Sequence, residues 1–242
     1  VFAITVAKND NDAIHPAAAL YDDFTGRRPI ELRHEYAPAA MPPYKGVDPS
    51  AAVVLDRRAS FTELRTGPPS PGDYADQAAG NGVRFHYVDR QGECLPHRRS
   101  GAEGTALPRL NDGQFAQNHD DTDRCVWWDG EGRFVADLQR GIKVAGVTTY
   151  SWHRSDRAPQ FFSLWGSDAP QMPDPNFAAG EHTGWTLLAV VDTREIGMGG
   201  VHVSSVEPTA GLDTLGIFRH LLWILPSDQG TFFTEVDVRV TE

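Results

Sequence analysis

The chain is poor in cysteine. Cys94 and Cys125 stand alone, and neither lies in a C-x-x-C or C-x-x-C-H arrangement. That removes zinc ribbons, thioredoxin-type sites and covalently attached haem. One disulfide between them and two buried thiols are both compatible with the spacing. Lysine is scarce too: Lys8, Lys45 and Lys143 are the only ones among 22 basic residues. Against 33 acidic residues these leave a net charge of −11, so a polyanion such as nucleic acid is repelled on average. No run of about 18 apolar residues occurs, so no segment reads as a membrane-spanning helix. The opening VFAITVAKND has no basic start leading into an apolar core and does not read as a signal peptide. No G-x-S-x-G and no H-E-x-x-H is found. Carboxylate pairs are too common in so acidic a chain to mark a glycosidase.

Turn formers are plentiful, with 23 Gly and 17 Pro, and long helical patterns are scarce. Both point to an all-β fold. The first 82 residues read differently from the rest. VFAITV (1–6) and AAVVLD (51–56) have strand character, and HPAAALYDDF (15–24) suits at most a short helix. Between and after them run APAAMPPYKGVDPS and TGPPSPGDYADQAAGNG, loop or extended chain by their Pro and Gly. Residues 1–82 therefore read as an irregular Pro/Gly-rich segment that wraps or extends a main domain at 83–242, having too few apolar residues for a core of its own.

From Val83 the strand signal is regular: 83–89, 133–138, 143–152, 158–167, 184–193, 200–207, 215–226 and 231–240. These runs are rich in Val, Phe, Thr and Trp and bounded by Gly, Pro, Asp or Asn. Alternation is clearest in the last, where Phe233, Val236, Val238 and Val240 are apolar and Glu235, Asp237 and Arg239 polar. The run 215–226 can also be read as a helix; its β-branched and aromatic content and Pro226 favour a strand. The sum predicts an antiparallel two-sheet β-sandwich of the jelly-roll kind.

Two stretches carry candidate chemistry. LPRLNDGQFAQNHDDTDRCVWW (107–128) packs Asp and Asn side chains onto one irregular loop. Oxygen donors at that density suit Ca²⁺, although the EF-hand spacing is missing and spacing alone favours a solvated acidic turn. VTTYSWHRSDRAPQFFSLWGS (147–167) places Tyr150, Trp152, His153, Arg154 and Arg157 at one strand–turn–strand tip. Alternation puts Tyr150 and Trp152 on one face and Ser151 and His153 on the other. An aromatic ring beside guanidinium and imidazole donors suits a sugar, the ring stacking and the donors bonding hydroxyls or a carboxylate. Tyr150, His153 and Arg157 can also be read as acid, base and carboxylate neutraliser in β-elimination of a uronic acid. The bland alternative puts Trp152 in the core and pairs the arginines with Asp156 or Asp168. Arg98 and Arg99 in GECLPHRRSG read as a solvated loop. In MGGVHVSS (198–205) the glycines read as a turn or bulge, because no helix follows to cradle a phosphate, and His202 as a satisfied sheet residue.

The order LNDG, GRFVADL, VAGVTTYSWHRSDRAPQFFSLWGSDA and FTEVDV resembles the discoidin family, also called F5/8 type C, in the form appended to large bacterial secreted or envelope proteins. The resemblance covers about residues 105–242. It implies a galactose-binding-like jelly roll with a structural calcium between the Asp-Gly loop and the last strand, here Asp112 with Glu235. It also implies a ligand site on loops at one end of the sandwich, here Trp152, His153, Arg154 and Arg157, with Trp127 or Trp128 as a stacking wall. Residues 1–82, the long 168–183 loop and the absence of cysteines bracketing the domain depart from the family pattern.

Three functions follow as expectations. The first is a non-catalytic binding module of a secreted or envelope protein that recognises carbohydrate and holds a structural calcium. The second is a polysaccharide lyase or hydrolase using Tyr150, His153 and Arg157. The third is a structural subunit of an extracellular assembly, with residues 1–82 lying along a partner.

Overall fold

The computed structural model describes residues 72–88, 106–128, 131–177, 184–194, 197–208, 211–225 and 230–241, and the backbone of 31–35 and 52–59. The readings made at residues 1–6 and 15–24, at Cys94 and at Arg98 and Arg99 lie outside the described residues. Nine antiparallel strands are present among them: β1 (Glu31–Glu35), β2 (Ala52–Ala59), β3 (Arg84–Tyr87), β4 (Gly132–His153), β5 (Phe161–Ser167), β6 (Thr186–Asp192), β7 (Gly200–Pro208), β8 (Gly216–Leu225) and β9 (Phe233–Thr241). The strand read over 51–56 is β2, which pairs with β7 and carries β1 on its other side. No described helix is long and apolar enough to cross a membrane.

The two runs read separately at 133–138 and 143–152 form one strand, β4. Its first half pairs with β3 and β8, its second with β7 and β9. Between the halves the register with β8 shifts from Asp137 to Ile142. There Gln139 takes a left-handed φ of 70° and its amide donates to Asp137 Oδ1 at 2.8 Å, an Asx turn that makes a non-glycine residue tolerable at this bend. One layer is therefore β6-β5-β8-β4-β3 and the other β1-β2-β7-β4-β9. They face each other across an aromatic core: Phe233 of β9 meets Phe134 of β4 at 5.9 Å and Phe162 of β5 at 6.0 Å between ring centroids. This is the expected β-sandwich.

Both layers are also covered on their outer faces. Phe177 and Trp185, from the long loop after β5, pack on Trp165, Val135, Leu222 and Ile224. Phe115, Cys125 and Trp127, from the loop before β4, pack on Tyr150, Trp152, Val201 and Val203. The double coverage explains why 215–226 could be read as a helix. In β8, Leu221, Trp223 and Leu225 face the inner core while Leu222 and Ile224 face the outer cluster. A strand buried on both sides loses its polar alternation. The last strand has a different irregularity. Phe233 and Val236 both face the core because the register slips between Tyr150 and Ser151, a β-bulge at Thr234. Past the bulge, Glu235 and Asp237 point to the outer face.

Phe134 is the densest node of the inner core, stacked between Trp128 at 5.3 Å and Trp223 at 4.8 Å. Replacing it with Ala should cost about 3–5 kcal/mol, since a cavity between stacked rings cannot collapse. Urea unfolding of the F134A variant checks this; a loss below about 1 kcal/mol would contradict the packing described.

Candidate functional site

β4 ends at His153, and the turn that follows is fastened from below. Ser151 Oγ donates to the Ala158 carbonyl (2.5 Å), Thr231 Oγ1 to the Pro159 carbonyl (2.6 Å), and the Phe232 amide to the Arg157 carbonyl (2.9 Å). Gln160 is fully buried beneath it. Its amide group donates to the carbonyls of Thr149 and His202, its Oε1 accepts from Thr149 Oγ1, and its backbone N–H donates to Thr193 Oγ1. A polar layer of this kind inside the sandwich fixes the turn geometry. His202 belongs to it, buried, with Nδ1 at 2.8 Å from Thr193 Oγ1.

On this base Arg154 and Asp156 are exposed, and Ser155 and Arg157 half-buried. The Arg157 guanidinium lies over the Phe232 ring at 5.4 Å, and the His153 ring packs on the same phenyl at 4.8 Å. His153 Nδ1 accepts from the Ser155 amide at 3.1 Å, which selects the neutral imidazole. Burial holds its pKa below the ordinary value, with Asp120 pulling part of the way back. The loop 197–199 closes on the turn from the side. Gly199 and Gly200 take φ of 75° and 87°, a left-handed pair that a Cβ would disfavour, and the Gly199 amide donates to the Ser155 carbonyl at 2.9 Å. Its neighbour Met198 stands 46% exposed beside the turn. Arg194, stacked over Phe161 at 3.9 Å and paired with Asp192, follows directly on Thr193. Neither Met198 nor Arg194 was foreseen; the adjacent glycines of MGG were the only hint.

The expected tryptophans are a correction. Trp128 is fully buried in the inner core against Phe134, Trp127 is stacked on Phe232 at 4.3 Å, and Trp152 is buried in the outer cluster. Packed rings offer no face to a ligand, so none of the three is a stacking wall; Trp127 supports Phe232 instead. Of the residues read as a lyase constellation, Tyr150 lies in the outer cluster against Phe115, its hydroxyl donating to Asp237 Oδ2 at 2.8 Å, while the His153 ring and the Arg157 guanidinium both lie against Phe232.

The acidic loop and the last strand do meet. The Asp112 charge acts on Glu235, and further along the same loop Asp120 acts on His153. The tightest convergence, however, is of Asp73, Glu235 and Asp237, all buried, each with an oxygen within 4.8 Å of the others'. Burial first, then the neighbouring carboxylates, raise Glu235 from 4.5 to about 10, and burial with Asp237 raises Asp73 from 3.8 to about 7. Burial also raises Asp112, but Arg124 and Arg109 oppose it. One Glu235 oxygen, Oε2, has no hydrogen-bond partner. Buried, mutually repelling oxygens with an orphaned acceptor fit a hard cation such as Ca²⁺.

No protein-family model matches the sequence, and neither does any curated protein. Among solved structures the chain is similar to CpGH89CBM32-6, produced by Clostridium perfringens, at 15% identity and a TM-score of 0.39, covering 66% of this chain and 94% of that one. It is similar to a Streptococcus pneumoniae fucose binding module, SpX-3, at 10% identity and 0.41, covering 71% and 100%. It is also similar to the f-lectin (fucolectin) from striped bass (Morone saxatilis) serum, at 15% and 0.44, covering 70% of this chain but only 48% of that one.

Raised carboxyl pKa values have a definite sign in stability. Between the ordinary and the raised value the folded chain binds more protons than the unfolded one, so stability falls as pH rises through that window. With divalent cations chelated, the urea midpoint should therefore decline from about pH 4 upward, Asp73 contributing to about 7 and Glu235 to about 10. A midpoint that rises over this range would contradict the clustering.

Proposed function

We propose that this chain is a non-catalytic carbohydrate-binding module of a secreted or cell-envelope protein, recognising sugar through the Arg154–Arg157 turn and carrying a structural calcium near Asp112 and Glu235. The observation that carries the reading is the rigidity of that turn. Arg154 and Asp156 project from a loop whose carbonyls at Ser155, Arg157, Ala158 and Pro159 are all hydrogen-bonded. Vicinal hydroxyls both donate and accept, so a guanidinium beside a carboxylate is complementary to them. His153 and Arg157, held against Phe232, supply a second layer of polar contact, and the exposed Met198 offers an apolar surface where no aromatic ring is free to do so. Because the turn is prearranged, little ordering entropy opposes binding. A shallow wet site still gains little net free energy, so affinities in the micromolar to millimolar range are expected, about −8 to −4 kcal/mol. A calcium site of modest affinity would be filled outside the cell, where the ion is abundant.

Glycan-array screening of the intact chain, followed by affinity electrophoresis on the retained sugar, tests the proposal. R154A and R157A should each weaken retention by about 10–100-fold, the worth of a lost charge-assisted hydrogen bond. Folded protein that retains no glycan, or variants that bind as well as the parent, would count decisively against it.

A further inference from the structure

A groove lies along β4 well away from the turn at its end. We propose that it is a second binding site, separate from the turn, for an uncharged, hydroxyl-rich ligand: a stretch of saccharide chain. The inference does not depend on the turn being a sugar site.

The groove opens where strands part. Pairing of β4 with β7 ends at Val147 opposite Val206, while Glu207 and Pro208 continue along β2. On the other side, the register of β4 against β9 slips between Val144 and Gly146, a bulge at Ala145. The space left is about 780 Å³, within the range of small-molecule sites. Glu207 and Arg239, the Leu212–Thr214 loop and the cross-strand pair Lys143 and Thr241 line it. The loop is fastened, since the Leu215 amide that follows it donates to the Val144 carbonyl at 2.8 Å.

Three observations carry the assignment. The first is a prearranged polar pair. Arg239 is ion-paired with Glu207 and donates to the Ala145 carbonyl at 3.1 Å, and its side chain still stands 59% exposed. A guanidinium fork fixed beside a carboxylate presents donors and an acceptor together, as adjacent hydroxyls require. The second is the residue beneath that pair. Gly146 sits opposite Arg239 across the ladder and is not left-handed, so its backbone does not demand glycine. The space does: a Cβ there would lie 2.9 Å from Arg239 Nη2 and 3.3 Å from Glu207 Oε1 and would displace the pair. The third is charge balance. Lys143 and Arg239 face Glu207 and Asp213 in one lining. An anion would meet two carboxylates and a cation two basic groups, whereas a neutral polyol suits all four. Leu212, 51% exposed, adds an apolar edge for the C–H face of a sugar ring.

From Ala145 to His153 the strand runs roughly 25 Å. A short oligosaccharide held in the groove therefore leaves the turn free. A polysaccharide that reaches both gains avidity without any new contact.

Two-dimensional amide NMR of the full chain tests this, with maltotriose, xylotriose, laminaritriose and chitotriose each titrated to about 20 mM, past the millimolar end of shallow sugar sites. At least one should shift the amides of Ala145, Gly146, Thr214 and Thr241, and the shifts should persist in the R154A/R157A double variant. R239M should weaken this binding at least about tenfold, R239K should not restore it because it keeps the charge without the fork, and T241V should cost about three- to tenfold. Thr241 is exposed, so T241V should melt with the parent, which separates lost binding from lost folding. Neutral sugars that leave these amides unmoved, or shifts that vanish in R154A/R157A, would overturn the proposal. Tighter binding of trigalacturonate or of glycylglycine than of every neutral sugar would overturn the ligand class. Shifts in the groove with none at the turn would support this site while counting against the sugar reading of the turn.

Discussion

One strand holds this molecule together. β4 is hydrogen-bonded to β3 and β8 along its first half and to β7 and β9 along its second, so it belongs to both layers. The register of every other strand is set by β4 directly or through one or two neighbours. A slip of one residue along it would turn both faces of both layers inside out. The bend at Gln139 is the cost of serving two layers, and the Asx turn with Asp137 keeps that cost small.

The functional end of the molecule is where β4 runs out. The last residues of the strand supply the supports, Thr149 and Ser151, on the inner side, and Tyr150 and Trp152 on the outer side. Phe232, just before β9, gathers Trp127, His153 and Arg157 around one ring. Aromatic mass is thus spent on holding polar groups in place, not on touching a ligand. The same strand, through Tyr150 and Asp237, touches the buried carboxylates. The turn and the acidic cluster are neighbours by construction, both mounted on the β4–β9 pair.

Much of the sandwich was legible because strand chemistry is local. Val-, Phe- and Thr-rich runs closed by Gly and Pro are strands wherever they occur, and β3 and β5 to β9 fall where those runs fall. The tip residues from His153 to Arg157 were legible as a constellation because a tight turn keeps sequence neighbours together. Three features resisted. The joining of 133–138 to 143–152 depends on the bend at Gln139, which no propensity announces. The fate of Trp127 and Trp152 depends on a loop returning over an outer face, and that of Trp128 on the two layers closing over it, both long-range events. Asp73 is separated from Glu235 by most of the chain, so nothing in its vicinity marks it as part of a cluster.

By itself, then, the amino-acid order determined which segments are strands, that the fold is a two-layer β structure, and which turn concentrates cationic and imidazole groups, since each of these follows from residues a few positions apart. Only the tertiary structure decided which rings are buried, that His153 and Arg157 meet on Phe232, that Met198 and Arg194 flank the turn, and which carboxylates share one desolvated space. Burial and convergence are properties of surfaces brought together by folding, and no single stretch of the chain contains both surfaces.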